Sequence, residues 1–152
     1  MPPRLCVSAC LIGRACRYDG QARPDEGVRR RVAEVEAAGG TVVAVCPEEA
    51  GGLGTPRPAA WLSQGDGAAV LDGRARVVRV ADGDDVTEAF VAGARACAEQ
   101  AAGATEAILK ARSPSCGVGR TWRDGEVGDG DGVFAALLRR RGLTLRGSED
   151  PG

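Results

Sequence analysis

Three short apolar runs, each ending at a loop that carries a cysteine, constrain this chain most. Arg4 to Ala9 reads as a buried strand that reaches Cys10. Thr41 to Val45 reads as a second that reaches Cys46. Ala104 to Leu109 reads as a third, followed by Lys110 and, in the same loop, Cys116. Between them lie helical patterns. Asp25-Glu26 opens a helix to about Ala38 with Val28, Val32 and Val35 on one face, and Gly39-Gly40 stops it. Thr87 is placed to cap a helix reaching about Ala102, with Phe90, Ala94 and Cys97 inside. Asp129 to Gly132 leads into a helix ending near Arg141, and Leu143 to Leu145 can add a last strand. Strands alternating with helices predict an α/β fold: a single-domain, Rossmann-like parallel sheet flanked by helices. Ala68 to Val80 alternates around Asp72-Gly73 and predicts a β-hairpin insertion. Pro47 to Pro58, rich in proline and glycine, predicts irregular loop.

With 152 residues, one domain over 1–152 is expected, with 148–152 a flexible tail. Twenty basic and 21 acidic residues give a net charge of −1, which argues against a nucleic-acid partner. The runs Arg29 to Arg31 and Arg139 to Arg141 fall in predicted helices and read as solvated faces. No apolar run is long enough for a membrane span. Val7 to Cys10 looks like a lipoprotein cleavage site, but the apolar stretch before it is too short for a signal sequence. A cytoplasmic location is therefore expected, where six cysteines point to thiols, metal or catalysis before disulfides. Oligomeric state is left open.

The chain has no histidine. That excludes Ser-His-Asp and Cys-His catalysis and histidine metal sites. In an open α/β sheet, ligands bind where the carboxyl ends of the strands meet. Cys10, Cys46 and Cys116 should converge there, if the strands are as read. Three such thiols suit a soft metal centre, and a three-cysteine cubane cluster would leave one iron open. The short paired spacings of a structural zinc site are missing. Three unrelated buried thiols are the plain alternative. Gly51, Gly52 and Gly54 do not join a strand to a helix start and are no dinucleotide loop; they are read as letting backbone approach a ligand.

The strings SACLIGRACRYDG, VCPEEAGGLGTPRP, KARSPSCG and GDGVFAALL occur in this order between Leu5 and about Glu149. Together they resemble the thiouracil desulfidase family. The resemblance implies a 4Fe-4S cluster held by Cys10, Cys46 and Cys116. It also implies an enzyme that removes sulfur, without net redox change, from a small thiolated heterocycle such as thiouracil. In that chemistry the substrate sulfur binds the open iron and water attacks the carbon. Glu48, two residues after Cys46, is the candidate base. Ser113 is the preferred catalytic hydroxyl, and Ser115 a substrate contact. Lys110, the single lysine, is a candidate for binding an anionic substrate edge. Arg17, Tyr18, Asp19 and Arg57 can line the pocket or scaffold its loops.

Cys6 and Cys97 read as core. Cys16 can approach the cluster as a fourth ligand but is read as a non-ligand. Two departures from the family pattern bear on substrate: Trp61 stands where a glutamate is usual, and the segment from Gly119 to Asp131 is short. The alternative from another class is a non-catalytic iron–sulfur or sulfur-carrier protein, which needs no water-activating base. A structural thiol or metal protein is a further alternative.

Overall fold

The computed structural model describes residues 2–148. Strand β1 (Arg4–Ser8) runs into a 3-10 turn, Ala9–Ile12, that carries Cys10. Helix α1 (Glu26–Ala37) starts where Asp25 accepts the Val28 amide at 3.0 Å, and leads to β2 (Thr41–Val45). Beyond come α2 (Pro47–Ala50), β3 (Ala60–Ser63), α3 (Gly67–Leu71) and β4 (Arg76–Arg79). The chain continues through α4 (Thr87–Gln100), β5 (Glu106–Leu109), β6 (Arg120–Arg123) and β7 (Glu126–Asp129). It closes with α5 (Val133–Arg140) and β8 (Thr144–Gly147).

Strands β2-β1-β5-β8 form a parallel sheet in that order. Its two faces are covered separately, as the period of two in a strand requires. Leu5, Val7 and Ile108 pack with Val28 and Val35 of α1. Cys6, Ala107 and Leu109 pack on the other face with Phe90, Ala94 and Cys97 of α4 and Phe134 and Leu138 of α5. The connection from β1 leads to β2 on one side, whereas β5 lies on the other side of β1. This reversal makes the carboxyl ends of β1 and β5 the switch point of the sheet.

A second, mixed sheet has the order β4-β3-β6-β7. Its Leu62 and Val77 belong to the same core cluster as Cys6 and Leu109, so the two sheets share one core. Among the described residues no helix is long and apolar enough to cross a membrane.

The predicted hairpin at Asp72-Gly73 is not there. Asp66 accepts the Ala69 amide at 3.0 Å and starts a helix through Ala68 to Leu71. Asp72 ends it, and Gly73 follows at φ +77°. Arg74 N donates to Ala69 O at 2.8 Å and Gly73 N to Val70 O at 3.1 Å, a helix-terminating pair of bonds. The β-hairpin with an Asp-Gly turn lies elsewhere, in β6–β7: Asp124 and Gly125 have φ +44° and +94°, as a type I′ turn requires. Pro47 to Pro58 is likewise not wholly irregular. Pro47 occupies the first position of α2, where its missing N–H costs nothing. Of the expected tail, Ser148 is held: its amide donates to Leu109 O at 2.8 Å and its Oγ accepts the Ala111 amide at 3.0 Å. Residues 149–152 lie outside the described part of the chain.

Candidate active site

A cavity of about 390 Å³ opens at the switch point, and Cys10, Cys46, Glu48, Lys110, Ser113, Ser115 and Cys116 all line it. Each arrives from the loop after a parallel strand. Cys10 follows β1, Cys46 follows β2, and the Lys110–Cys116 segment follows β5.

The loop of Cys46 is fixed by backbone contact. A Cβ on Gly93 of α4 would lie 1.8 Å from Pro47 O, and one on Gly51 would lie 2.0 Å from Ala89 O. Two glycines thus let α2 and α4 touch through their main chains. Gly51 therefore serves a helix–helix approach rather than the ligand approach expected from the sequence.

The loop of Cys116 sits on the start of α5. Val133 N donates to Pro114 O at 2.9 Å, and Phe134 N and Ala135 N donate to Ser115 O at 2.8 and 3.1 Å. The amides that a helix leaves unpaired at its first turn are thereby satisfied. A Cβ on Gly132 would fall 2.6 Å from that same Ser115 carbonyl. The SPSCG and GDGVFAALL strings are two halves of one packing unit.

Inside the loop, Ser113 Oγ accepts the amides of Ser115 and Cys116 at 3.2 and 3.1 Å. It lies 3.0 Å from Ser115 Oγ, which donates to Glu48 Oε2 at 3.0 Å. A hydroxyl has one proton, so with Ser115 donating to Glu48, Ser113 donates to Ser115. The result is a directed chain, Ser113 to Ser115 to Glu48. On its other side Glu48 Oε1 meets Arg57 Nε at 3.3 Å. Arg57 also reaches the Cys16 carbonyl at 3.0 Å and Thr55 Oγ1 at 3.0 Å. The Ser8 side chain, 2% exposed, accepts the Lys110 amide at 2.9 Å and bonds the Cys116 thiol.

All six cysteines are free thiols. Burial pushes the Cys116 thiol up to about 12, against the opposing pull of the Ser8 hydroxyl. Its bond to Cys16 and then burial hold Cys46 far above the thiol range. Cys16 is pushed up to about 11, first by its contact with Cys10. A buried thiolate is disfavoured without a positive partner, so the ionised form of this group calls for a cationic centre among the sulfurs.

Cys16 is 2% exposed and touches both Cys10 and Cys46. Among the described residues, one ligand atom each from Cys16, Cys46 and Glu49 lie within 4.8 Å of one another. Cys6 and Cys97 lie in the core away from the cavity lining, as expected. The sequence reading missed Ser8 and Trp122. Trp122 on β6 and Trp61 on β3 both line the cavity, and the parallel pairing of Leu62 with Arg123 puts them side by side. Ser8 had a signal, since a polar residue ending a buried strand needs a partner. Trp122 had one as well, the Asp124-Gly125 turn between strand-favouring flanks. Tyr18, Arg17 and Arg57 line the same cavity; Asp19 does not, and it pairs with Arg17 at 3.7 Å.

Comparison with known proteins agrees with this geometry. The 2-thiouracil desulfurase family matches residues 5–150. The uncharacterized protein YbbK of Bacillus subtilis (strain 168) is 41% identical over 146 residues, covering 93% of each chain. A solved structure of the 4Fe-4S-dependent thiouracil desulfidase TudS superposes with a TM-score of 0.78. It is 38% identical over 95% of this chain and 90% of that one. By sequence and by fold, the chain belongs to the 2-thiouracil desulfurase family.

Proposed function

We propose that this protein is a 4Fe-4S-dependent desulfidase that replaces the sulfur of a small thiolated heterocycle, such as thiouracil, by oxygen from water. One observation carries the reading. A carboxylate bonded to a serine chain, Glu48 to Ser115 to Ser113, stands in the same cavity as Cys10, Cys46 and Cys116. The donor set fits the cluster: three thiols, no histidine, and burial that disfavours thiolates unless a cation holds them. Cys10, Cys46 and Cys116 are the residues that would hold it. When bound, the cluster supplies an iron with affinity for a soft thiocarbonyl sulfur, and Lewis acidity that makes the attached carbon electrophilic.

The chain's own residues supply the rest. Glu48 accepts a proton from water as the oxygen adds to carbon. Ser115 holds one carboxylate oxygen and Arg57 the other, so the base keeps one orientation. Trp61 and Trp122 bring aromatic rings to the lining where a planar heterocycle would bind, and Lys110 a cation for an anionic edge. The reaction balances as thiocarbonyl plus water giving carbonyl plus hydrogen sulfide, with no change of oxidation state. A sulfur carrier has no use for a water-activating carboxylate, and the Glu48 network favours catalysis over that alternative.

Anaerobic reconstitution followed by incubation with 2-thiouracil tests the reading. Stoichiometric uracil and sulfide are expected, dependent on iron. Glu48→Gln should retain iron and bind substrate while losing on the order of 10²–10⁴ in turnover. Near-native turnover in that variant would remove Glu48 from the mechanism. A wild-type protein that holds iron and sulfide but converts no thiolated ring would refute the enzyme.

A further inference from the structure

Cys16 is the one thiol at the cavity that the proposed reaction leaves unused. It is not an isolated group. Cys46 and Glu49 lie at the first turn of α2, three residues apart, which sets both side chains on one face of the turn. The Cys16 loop is tied against that face. Its carbonyl receives the Cys46 thiol at 3.6 Å and Arg57 Nη2 at 3.0 Å. Cys16 Sγ, Cys46 Sγ and a Glu49 carboxylate oxygen are then mutually within 4.8 Å. Glu49 accepts from Thr55 Oγ1 on one oxygen and from Arg14 on the other at 2.6 Å, an ion pair whose arginine side chain is 57% exposed, so water can replace it when an ion binds.

These spacings suit a single ion. With Zn–S near 2.3 Å and Zn–O near 2.1 Å, a tetrahedral site sets its ligand atoms roughly 3.5–3.8 Å apart. A small closure of the three groups reaches that geometry, and Cys10 touches Cys16 beside it. Two thiolates with one carboxylate are a borderline-soft donor set of the kind zinc takes.

We propose that the cluster-free chain binds one zinc ion through Cys16, Cys46 and Glu49, and that this ion competes with the iron–sulfur cluster. Binding releases the thiol protons and changes no oxidation state. The competition follows from Cys46, which the reading above assigns to the cluster; the zinc site itself stands on its own residues. Zinc-loaded chain is a form that cannot take up the cluster until the ion leaves. Cys16 and Glu49 belong to zinc alone, and Cys116 to the cluster alone, so the two sites separate by mutation.

Cluster-free wild type, Cys16→Ala, Glu49→Gln and Cys116→Ala are titrated with zinc and with cobalt(II), and each is separately reconstituted with iron and sulfide. One zinc per chain is expected in wild type and in Cys116→Ala. At least tenfold weaker binding, with loss of thiolate-to-cobalt absorption, is expected in Cys16→Ala. Glu49→Gln should weaken zinc in the same direction while keeping its circular dichroism spectrum, which guards against misfolding of the cysteine variant. Iron uptake should be normal in Cys16→Ala and Glu49→Gln. Prior zinc should slow iron uptake in wild type but not in Cys16→Ala. Unchanged zinc affinity in both Cys16→Ala and Glu49→Gln, or zinc lost in Cys116→Ala, would overturn the site. Iron lost in Cys16→Ala would make Cys16 a cluster ligand and overturn it equally. Failure of thiouracil turnover would bear on the proposed function alone, since no zinc readout depends on it.

Discussion

Arg57 and Glu48 form an ion pair of 3.3 Å in which the side chains are only 6% and 15% exposed. Their loops are nine residues apart in sequence, but the guanidinium also bonds the Cys16 carbonyl. One side chain thus ties the candidate base to the loop after β1. Removing one partner of a buried pair leaves the other charge uncompensated, at about 3–5 kcal/mol. Arg57→Leu should therefore lower stability by a few kcal/mol in denaturant titration and reduce kcat more than it raises KM. Arg57→Lys should recover part of both. Equal loss of kcat in the Leu and Lys variants with unchanged stability would deny the positioning role.

The two serines are separable. Ser115 donates to Glu48, whereas Ser113 accepts the amides of Ser115 and Cys116 and so shapes the turn that holds Cys116. Ser115→Ala should cost turnover while keeping iron content. Ser113→Ala should lower iron content as well, because two loop amides lose their acceptor, at about 1–3 kcal/mol if they stay buried. Iron and sulfide analysis beside steady-state rates checks both. The reverse pattern would make Ser113 the catalytic hydroxyl, as expected before the fold was known.

Much of this was legible before the fold. Strands end where their apolar runs end, and Cys10, Cys46 and, in the loop beyond β5, Cys116 pointed to a candidate site at the sheet's carboxyl edge. The turn signals were less secure because Asp-Gly occurs seven times in the chain and takes different roles. At Asp72-Gly73, an Asp cap six residues earlier and an Ala-rich segment made a helix, and the glycine became its terminator. At Asp124-Gly125 the flanks, Thr121-Trp122 and Val127, favour strands, and the dipeptide made the turn. The Glu48 partners were illegible for another reason. Arg57 and Ser115 meet Glu48 only after three separate loops have packed, and no spacing in the sequence encodes that.

Gly93 tests how far the site depends on packing behind it. Its missing Cβ is what admits the Pro47 carbonyl to α4. Gly93→Ala adds helix propensity but must push α2 away, and overpacking of this kind costs roughly 1–3 kcal/mol net. Cys46 is next to Pro47, so iron content should fall too. A stable Gly93→Ala protein with full iron would show that Cys46 tolerates the displacement.

The paired tryptophans predict a binding effect. Trp61 and Trp122 lie side by side in the cavity lining, and Trp122 keeps 44% of its surface exposed. Stacking between aromatic rings contributes about 0.5–1.5 kcal/mol beyond area burial. Trp122→Ala should raise KM for a thiolated ring several-fold with kcat nearly kept. A fall in kcat at constant KM would move Trp122 from holding the ring to shaping the reaction.

The core thiols contribute to an alkaline limit on stability, together with the raised thiols of the site. Cys97 is pushed up to about 11, first by burial and then by the nearby Cys46; burial, then Cys97, pushes Cys6 up to about 12. In the unfolded chain a thiol titrates near 9. Below pH 9 both states hold these protons, and the stabilisation of the neutral buried thiol is fully present. Between pH 9 and about 11–12 the unfolded chain loses protons that the folded chain keeps, so stability falls as pH rises. Thermal melts of cluster-free protein should show a steepening loss above pH 9. Cys97→Ala removes one of the two groups and, since Cys97 is a cause of the Cys6 shift, relieves the other. Its melting temperature should therefore be lower than wild type at pH 7, for the lost packing, but fall less steeply from pH 9 to 11. Parallel curves for the two proteins would mean that Cys97 ionises no more reluctantly in the core than in the open chain.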